Sequence, residues 1–251
     1  MAFHSVIYSS SLAIGSVLVQ VTNVGDPIIA TTGKGFIVPP TLSQLAMVAG
    51  VGTNLTRAQL TSGSIRKMFP WDFDRMNVGT AIESPARFSD FTMAPFQLTP
   101  YEELDAFAVQ SNAAAQQGSV FVTLCDGPMR PLLAPAQTVH ATSSTTLVAN
   151  AWTACTMVLD NGLDGGTYAI VGASAFSAGA QFFRLAPRGG PVNRPGGFAT
   201  QARDGLVPAG QRYGGWGQWM QFQNLQPPQV EFFSASADTS EEVYFDLVKV
   251  G

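Results

Sequence analysis

Charge is scarce in this chain. Asp, Glu, Lys and Arg make up 12% of its 251 residues, against about 25% in an ordinary soluble domain. Lysine occurs at Lys34, Lys67 and Lys249 and nowhere else. Disordered chains show the reverse balance, many charges and few aromatics, so 46% hydrophobic and 10% aromatic residues exclude that class. A free monomer needs surface charge for solubility, whereas a subunit that hides its surface in contacts needs less. Lysine is also the cation depleted at protein–protein interfaces. The net charge is −4, with no basic tail or Lys/Arg run, so direct contact with nucleic acid is not expected.

Histidine and cysteine are equally sparse. With His4 and His140 alone, neither half of the chain has the clustered His and Glu ligands of a metal-holding barrel. A Ser-His-Asp triad would have to use one of these two, and no Gly-x-Ser-x-Gly turn is present. Gly33-Lys34-Gly35 lacks the upstream glycine of a phosphate loop, since position 28 is Ile. Cys125 and Cys155 form no Cys-x-x-Cys pair, which removes zinc and redox motifs and leaves free buried thiols as the expectation. Apolar runs are too short for a bilayer span, and the first residues lack a signal-peptide layout. No metal, cofactor or catalytic residue is therefore expected.

What the chain has is β pattern and turns. Ser16–Thr22, Ser119–Leu124, Ala154–Leu159, Thr167–Val171, Ala180–Leu185, Gln229–Ser234 and Val243–Val250 alternate or are β-branched, and turn residues separate them. Asp160-Asn161-Gly162 reads as a hairpin turn. Thr99-Pro100-Tyr101-Glu102 predicts one or two helical turns from its cap, its proline and its glutamate. The sum is an all-β chain of antiparallel sandwiches.

The chain also resembles itself. Ala46-Met47-Val48 matches Ala169-Ile170-Val171, 123 residues on, and Val120–Leu124 matches Val243–Leu247 at the same spacing. Ala58-Gln59-Leu60 matches Ala180-Gln181-Phe182, Pro70 matches Pro195, Arg87–Phe91 matches Arg212–Trp216, and Phe96-Gln97 matches Phe222-Gln223. Unrelated halves would scatter these spacings. Each copy is long enough for one eight-stranded jelly roll. The expected division is 1–127 with an N-terminal arm, a proline-rich linker over 128–139, and 140–251. The repeat makes Thr41–Ala49 and Asp105–Ser111 strands, because their counterparts read as strands.

Candidate functional residues are few. Trp71, Trp216 and Trp219 suit core or interface anchors, or a sugar platform if exposed. Arg184, Arg188, Arg194, Arg203 and Arg212 are spread through a Gly/Pro-rich stretch that includes the long region Pro187–Gln218; planar multi-donor arginine suits contacts between subunits, and solvated loop arginines are the alternative. The first-copy counterpart of that region, Thr61–Asp90, is as long, and loops of that length are usually functional. Asp72 and Asp74 flank Phe73 and could serve a glycosidase or a calcium ion, although solvated or arginine-paired loop carboxylates are the simpler expectation and charged residues are too sparse to favour a glycosidase.

Two tandem β-units, a short linker, a long insertion in each and no catalytic constellation resemble the double jelly-roll major capsid proteins of the adenovirus-type lineage, especially those of tailless, membrane-containing bacteriophages. The resemblance implies a homotrimer of pseudo-sixfold outline tiling an icosahedral virion shell, made in the host cytoplasm. Its implied partners are neighbouring trimers, a vertex protein and an internal membrane. It also implies an N-terminal segment, here Met1–Leu12, reaching inward or to neighbours. A carbohydrate-binding or adhesive β-sandwich is the competing expectation.

Overall fold

The computed structural model describes residues 2–52, 54–66, 71–72, 75–76, 88–111, 114–132, 136–188, 193–202 and 207–251. Among them the protein is all-β and divides into two compact units, Met1–Pro128 and Met129–Gly251. The first holds β1 (Phe3–Leu12), β2 (Val19–Val21), β3 (Thr31–Thr32), β4 (Gly35–Ile37), β5 (Gln44–Val51), β6 (Leu55–Thr61), β7 (Trp71–Asp72), β8 (Arg75–Met76), β9 (Ser89–Asp90), β10 (Phe96–Gln97), β11 (Glu103–Gln110) and β12 (Gln116–Cys125), with one helical turn, α1 (Gly63–Arg66). The second holds β13 (Gln137–Ser143), β14 (Trp152–Cys155), β15 (Val158–Leu159), β16 (Thr167–Phe176), β17 (Ala180–Ala186), β18 (Gly196–Thr200), β19 (Met220–Gln223), β20 (Gln229–Ser234) and β21 (Glu241–Lys249).

In the first unit the opening strand lies beside the closing one, in the order β1-β12-β5-β10, and β2 and β6 flank β11 in a second sheet. The second unit repeats this: β13-β21-β16-β19, and β14-β20-β17-β18. Even the connection between sheets recurs. β18 runs antiparallel to β17 and parallel to β16, as β7 runs antiparallel to β6 and β8 parallel to β5.

Registers agree residue by residue. Ala46 is the extra residue where β5 opposes Thr123-Leu124, and Val171 is the extra residue where β16 opposes Asp246-Leu247. Both carbonyls accept from a later loop, Ala46 O from Phe91 N–H (2.8 Å) and Val171 O from Gly214 N–H (2.6 Å). A second bulge places Thr56 against Val109-Gln110 and Gln181 against Phe233-Ser234. Gln110 and Ser234 each then form an isolated parallel bridge, to Ile14 and Ala149. A bulge is a one-residue insertion that bends a strand and is tied to its site, so two bulges at equivalent sites mark one unit built twice.

These registers correct the spacing read from the sequence. Val171 follows Ala46 by 125 residues, while Asp246 follows Thr123 by 123. Ala46 therefore corresponds to Val171 and not to Ala169. That slip of two leaves every side chain on the same face, so the hydrophobic pattern cannot detect it. Thr56 corresponds to Gln181, which moves the match of Ala58 from Ala180 to Phe183.

Four further expectations change. Met1–Leu12 is not a free arm: Phe3–Leu12 pairs along its whole length with Gln116–Cys125, and Val6, Tyr8 and Leu12 enter the core of the first unit. The last residues given to the linker belong to β13, paired from Gln137↔Leu247 onward. Thr99–Glu102 forms a turn. Tyr101 adopts φ 67°, its N–H bonds Val38 O (2.8 Å), and the Glu102 carboxylate accepts from Thr99 N–H and from Ser64 N–H (2.7 Å) in α1. The capping glutamate is real: it caps its own turn at Thr99 and also α1, distant in sequence. Asp160-Asn161-Gly162 makes no hairpin, because Ala154–Leu159 is divided: β14 joins β20 while β15 joins β13.

Candidate functional site

The region the sequence singles out in the second unit, Pro187–Gln218, is fastened where described. Gln211 is fully buried, and its carboxamide is saturated. Oε1 accepts from Phe198 N–H (2.9 Å), and Nε2 donates to Phe198 O (2.9 Å) and Ala173 O (3.1 Å). Next to it, Arg212 grips buried Asp246 through two bonds, Nε to Oδ2 (2.6 Å) and Nη2 to Oδ1 (2.8 Å), and donates to Ser174 Oγ (3.0 Å). Asp246 also accepts from Thr138 Oγ1 and Tyr213 N–H, so its carboxylate is fully satisfied. That bidentate hydrogen bonding pushes the Arg212 guanidinium further into its charged form, and burial only partly opposes it.

Two of the tryptophans finish the anchor. Trp216 and Trp219 stack with ring centroids 6.1 Å apart, and Trp219 stacks on Phe183 (6.0 Å). Both are buried, which is the core alternative of the sequence reading and leaves neither as an exposed sugar platform. Gly214, at φ 81°, has the Leu132 carbonyl where a Cβ would stand, so only glycine fits this turn. The third tryptophan, Trp71, contributes backbone to β7 opposite Leu60.

Of the arginines, Arg194 is engaged inside the unit. Arg184 Nε (2.6 Å) and Arg194 Nη1 both reach the Glu231 carboxylate, and Arg184 lies over the Trp152 ring at 4.1 Å. Arg184, one of the arginines the sequence suggests for contacts between subunits, is buried and paired within the unit. Arg188 is exposed, and its Nε donates to Pro227 O (3.0 Å). Arg203 lies outside the described residues, as do Asp74, Pro70 and Arg87. Asp72 lies in β7 opposite Gln59.

Both histidines are held by carboxylates. His4 Nε2 meets Asp26 Oδ2 at 3.0 Å in a buried pair. His140 Nδ1 meets Asp160 Oδ2 at 2.5 Å, its Nε2 faces Glu242 Oε2 at 3.6 Å, and its ring stacks on Tyr244 (4.5 Å). A base of the triad type needs a nucleophile at the second nitrogen; here a carboxylate faces it. Among the described residues no cluster of three or more His, Cys, Asp or Glu side chains is placed to hold a metal. No described helix is long and apolar enough to cross a membrane.

Cys125 and Cys155 are free and buried. Burial pushes their thiols up to about 11 and about 12, and the charge of Glu241 adds to the shift at Cys155. Glu241 is itself anomalous: it is fully buried, and neither carboxylate oxygen has a hydrogen-bond partner among the described residues. Burial, then the charge of Asp238, pushes its carboxyl up to about 7. In the first unit the equivalent position, 123 residues earlier, is Gly118, where Leu12 and Leu55 fill the space.

No family model matches this chain, and no curated protein matches it. Two solved structures show a distant likeness. A Paenibacillus xanthan lyase shares 12% identity over the whole chain at a TM-score of 0.25, and the chain spans 25% of its length. The major capsid protein P2 of bacteriophage PM2 shares 10% identity at a TM-score of 0.23, over 97% of this chain and 98% of that one. A likeness at this level carries no argument about function.

Proposed function

We propose that each unit is a jelly roll and that the chain is a non-catalytic capsid subunit, assembling as a homotrimer into an icosahedral virion shell. The carrying observation is the repeated strand order. In both units the first strand lies beside the last, the second beside the second-last, and the middle strands close the two sheets, an order that supports the double Greek-key wrapping of a jelly roll. Two such units in one chain give a trimer six similar walls, which lets three copies occupy a hexagonal site. Sparse charge supports a surface hidden in neighbours. Anchoring of Gln211 and Arg212, among the described residues of the Pro187–Gln218 region, supports contact loops held in place. Neighbouring trimers, a vertex protein and an underlying membrane are the partners this reading requires, and Arg188 is the exposed arginine it assigns to contacts.

Electron microscopy of the purified protein, and of its native source, tests the reading. Regular shells or sheets of hexagonal units are expected. Dispersed single particles under all conditions would contradict it. The competing carbohydrate-binding reading loses Trp216 and Trp219 from its tryptophan platform, since both are core.

A further inference from the structure

Asparagine is followed by glycine once in this chain, at Asn161-Gly162. In such a pair the backbone nitrogen of the glycine can reach the side-chain carbonyl carbon of the asparagine, and no Cβ on the glycine hinders the approach. Folded structure prevents this in two ways. A hydrogen bond holds the N–H away from the side chain, or a regular element fixes the backbone torsions. Neither applies here. A hairpin would have tied this turn, but β15 pairs with β13 and the chain leaves it without one. The last backbone bond before the pair runs from Asp160 N–H to His140 O (3.0 Å), and the next N–H to be held is that of Gly166, on Asn224 Oδ1 (3.4 Å). Between them, the N–H groups of residues 161–165 have no hydrogen-bond partner among the described residues.

Exposure supplies the other requirement. Asn161 and Gly162 are both exposed, and both line a cavity of about 350 Å³ that also borders His140, so water reaches the reacting atoms. A Cβ built on Gly162 would meet nothing within 4 Å, which leaves the backbone room to turn. We infer that Asn161 is a site of spontaneous deamidation in the folded protein. Gly162 N attacks Asn161 Cγ and closes a succinimide ring; the Cγ–Nδ2 bond breaks, and ammonia leaves carrying the proton from Gly162 N. Water then opens the ring at either carbonyl. One opening gives aspartate, and the other gives isoaspartate, with the main chain rerouted through the former side chain. Either product adds one negative charge to a chain of net charge −4, next to Asp160, which already faces His140. Other described asparagines lack this combination. Asn23 donates its carboxamide to Gly33 O and Gly35 O, Asn224 Oδ1 accepts from Gly166 N–H, and Asn54 and Asn150 precede Leu and Ala. The inference stands independently of the capsid reading.

Incubation of the purified full chain at pH 8, sampled over time and read by peptide mapping with tandem mass spectrometry, tests it. The peptide holding Asn161 should gain the mass of an amide-to-acid exchange and should accept methyl groups from an isoaspartate methyltransferase. Asn150 and Asn224 should stay intact over the same period. Conversion should be slower at pH 6, because the attacking nitrogen must give up its proton. The folded chain should convert within about tenfold of the rate of the same chain unfolded in guanidinium chloride, since few bonds hold this segment closed. Gly162→Ala should keep the circular dichroism melt of the parent and slow the conversion by about threefold or more, the factor that corresponds to glycine's extra backbone freedom. The inference is overturned if Asn161 stays intact in the folded chain, if folding protects it by much more than tenfold, if Asn150 or Asn224 converts as fast, or if Gly162→Ala leaves the rate unchanged.

Discussion

Glu241 shows how far single residues of the two copies have diverged. Where the first unit closes its core with glycine and two leucines, the second buries a carboxylate without a hydrogen-bond partner. The folded carboxyl titrates near 7, above the ~4.3 of a free glutamate, so folding favours the protonated form. The cost is absent below about pH 4, grows between there and about pH 7, and is complete above it. Glu241→Gln should therefore leave stability unchanged at pH 4 and raise it at pH 8, by about 1–3 kcal/mol; urea denaturation at the two pH values reads this, and an equal effect at both would refute it. Glu231 is the opposite case, since its carboxylate pairs with both Arg184 and Arg194. Glu231→Ala strands a buried guanidinium and should lower stability by about 3–5 kcal/mol, whereas Arg188→Ala, at the exposed end of the same region, should change it by less than about 0.5 kcal/mol. The two thiols, both buried and raised, should resist aromatic disulfide reagents in the native protein and react fully in denaturant. None of these partnerships was visible in the sequence, because each joins residues from separate strands. Gln211 looked like an ordinary loop residue.

At the scale of elements, strands with β-branched runs were legible. Gln229–Ser234 is the strand β20 as read, Thr41–Ala49 and Asp105–Ser111 fall on β5 and β11, and Ser119–Leu124 lies inside β12. Strands carrying polar or glycine-rich sequence were not. β1 contains His4, Ser5 and three consecutive serines, and β18 opens on two glycines; neighbouring strands determine both. Local turn chemistry misled at Asp160-Asn161-Gly162, where a sheet change outweighs hairpin propensity. The bulges are the elements that fix register. Deleting Val171 would shift Thr167–Ile170 by one residue against β21 and turn each side chain to the other face. That deletion should abolish cooperative unfolding of the second unit, while deleting exposed Leu225, in the turn after β19, should cost little. Circular dichroism melts of the two variants distinguish these outcomes, and an unaltered melt for the Val171 deletion would show that the bulge is dispensable.

For the molecule as a whole, the repeat was legible as an ordered set of weak matches, but its alignment was not. Strand registers, rather than residue identity, carry the equivalence: the spacing is 125 residues at the bulges of β5 and β6 and 123 at β12. The proposed function rests on the same duplication together with the lack of charge, and it concerns surfaces that a single chain leaves open. Native mass spectrometry of the purified protein across a range of concentrations tests that claim most directly. The account predicts a dominant species at three times 26.5 kDa, about 80 kDa, with larger multiples of it as concentration rises. A stable species of 26.5 kDa at every concentration would contradict it.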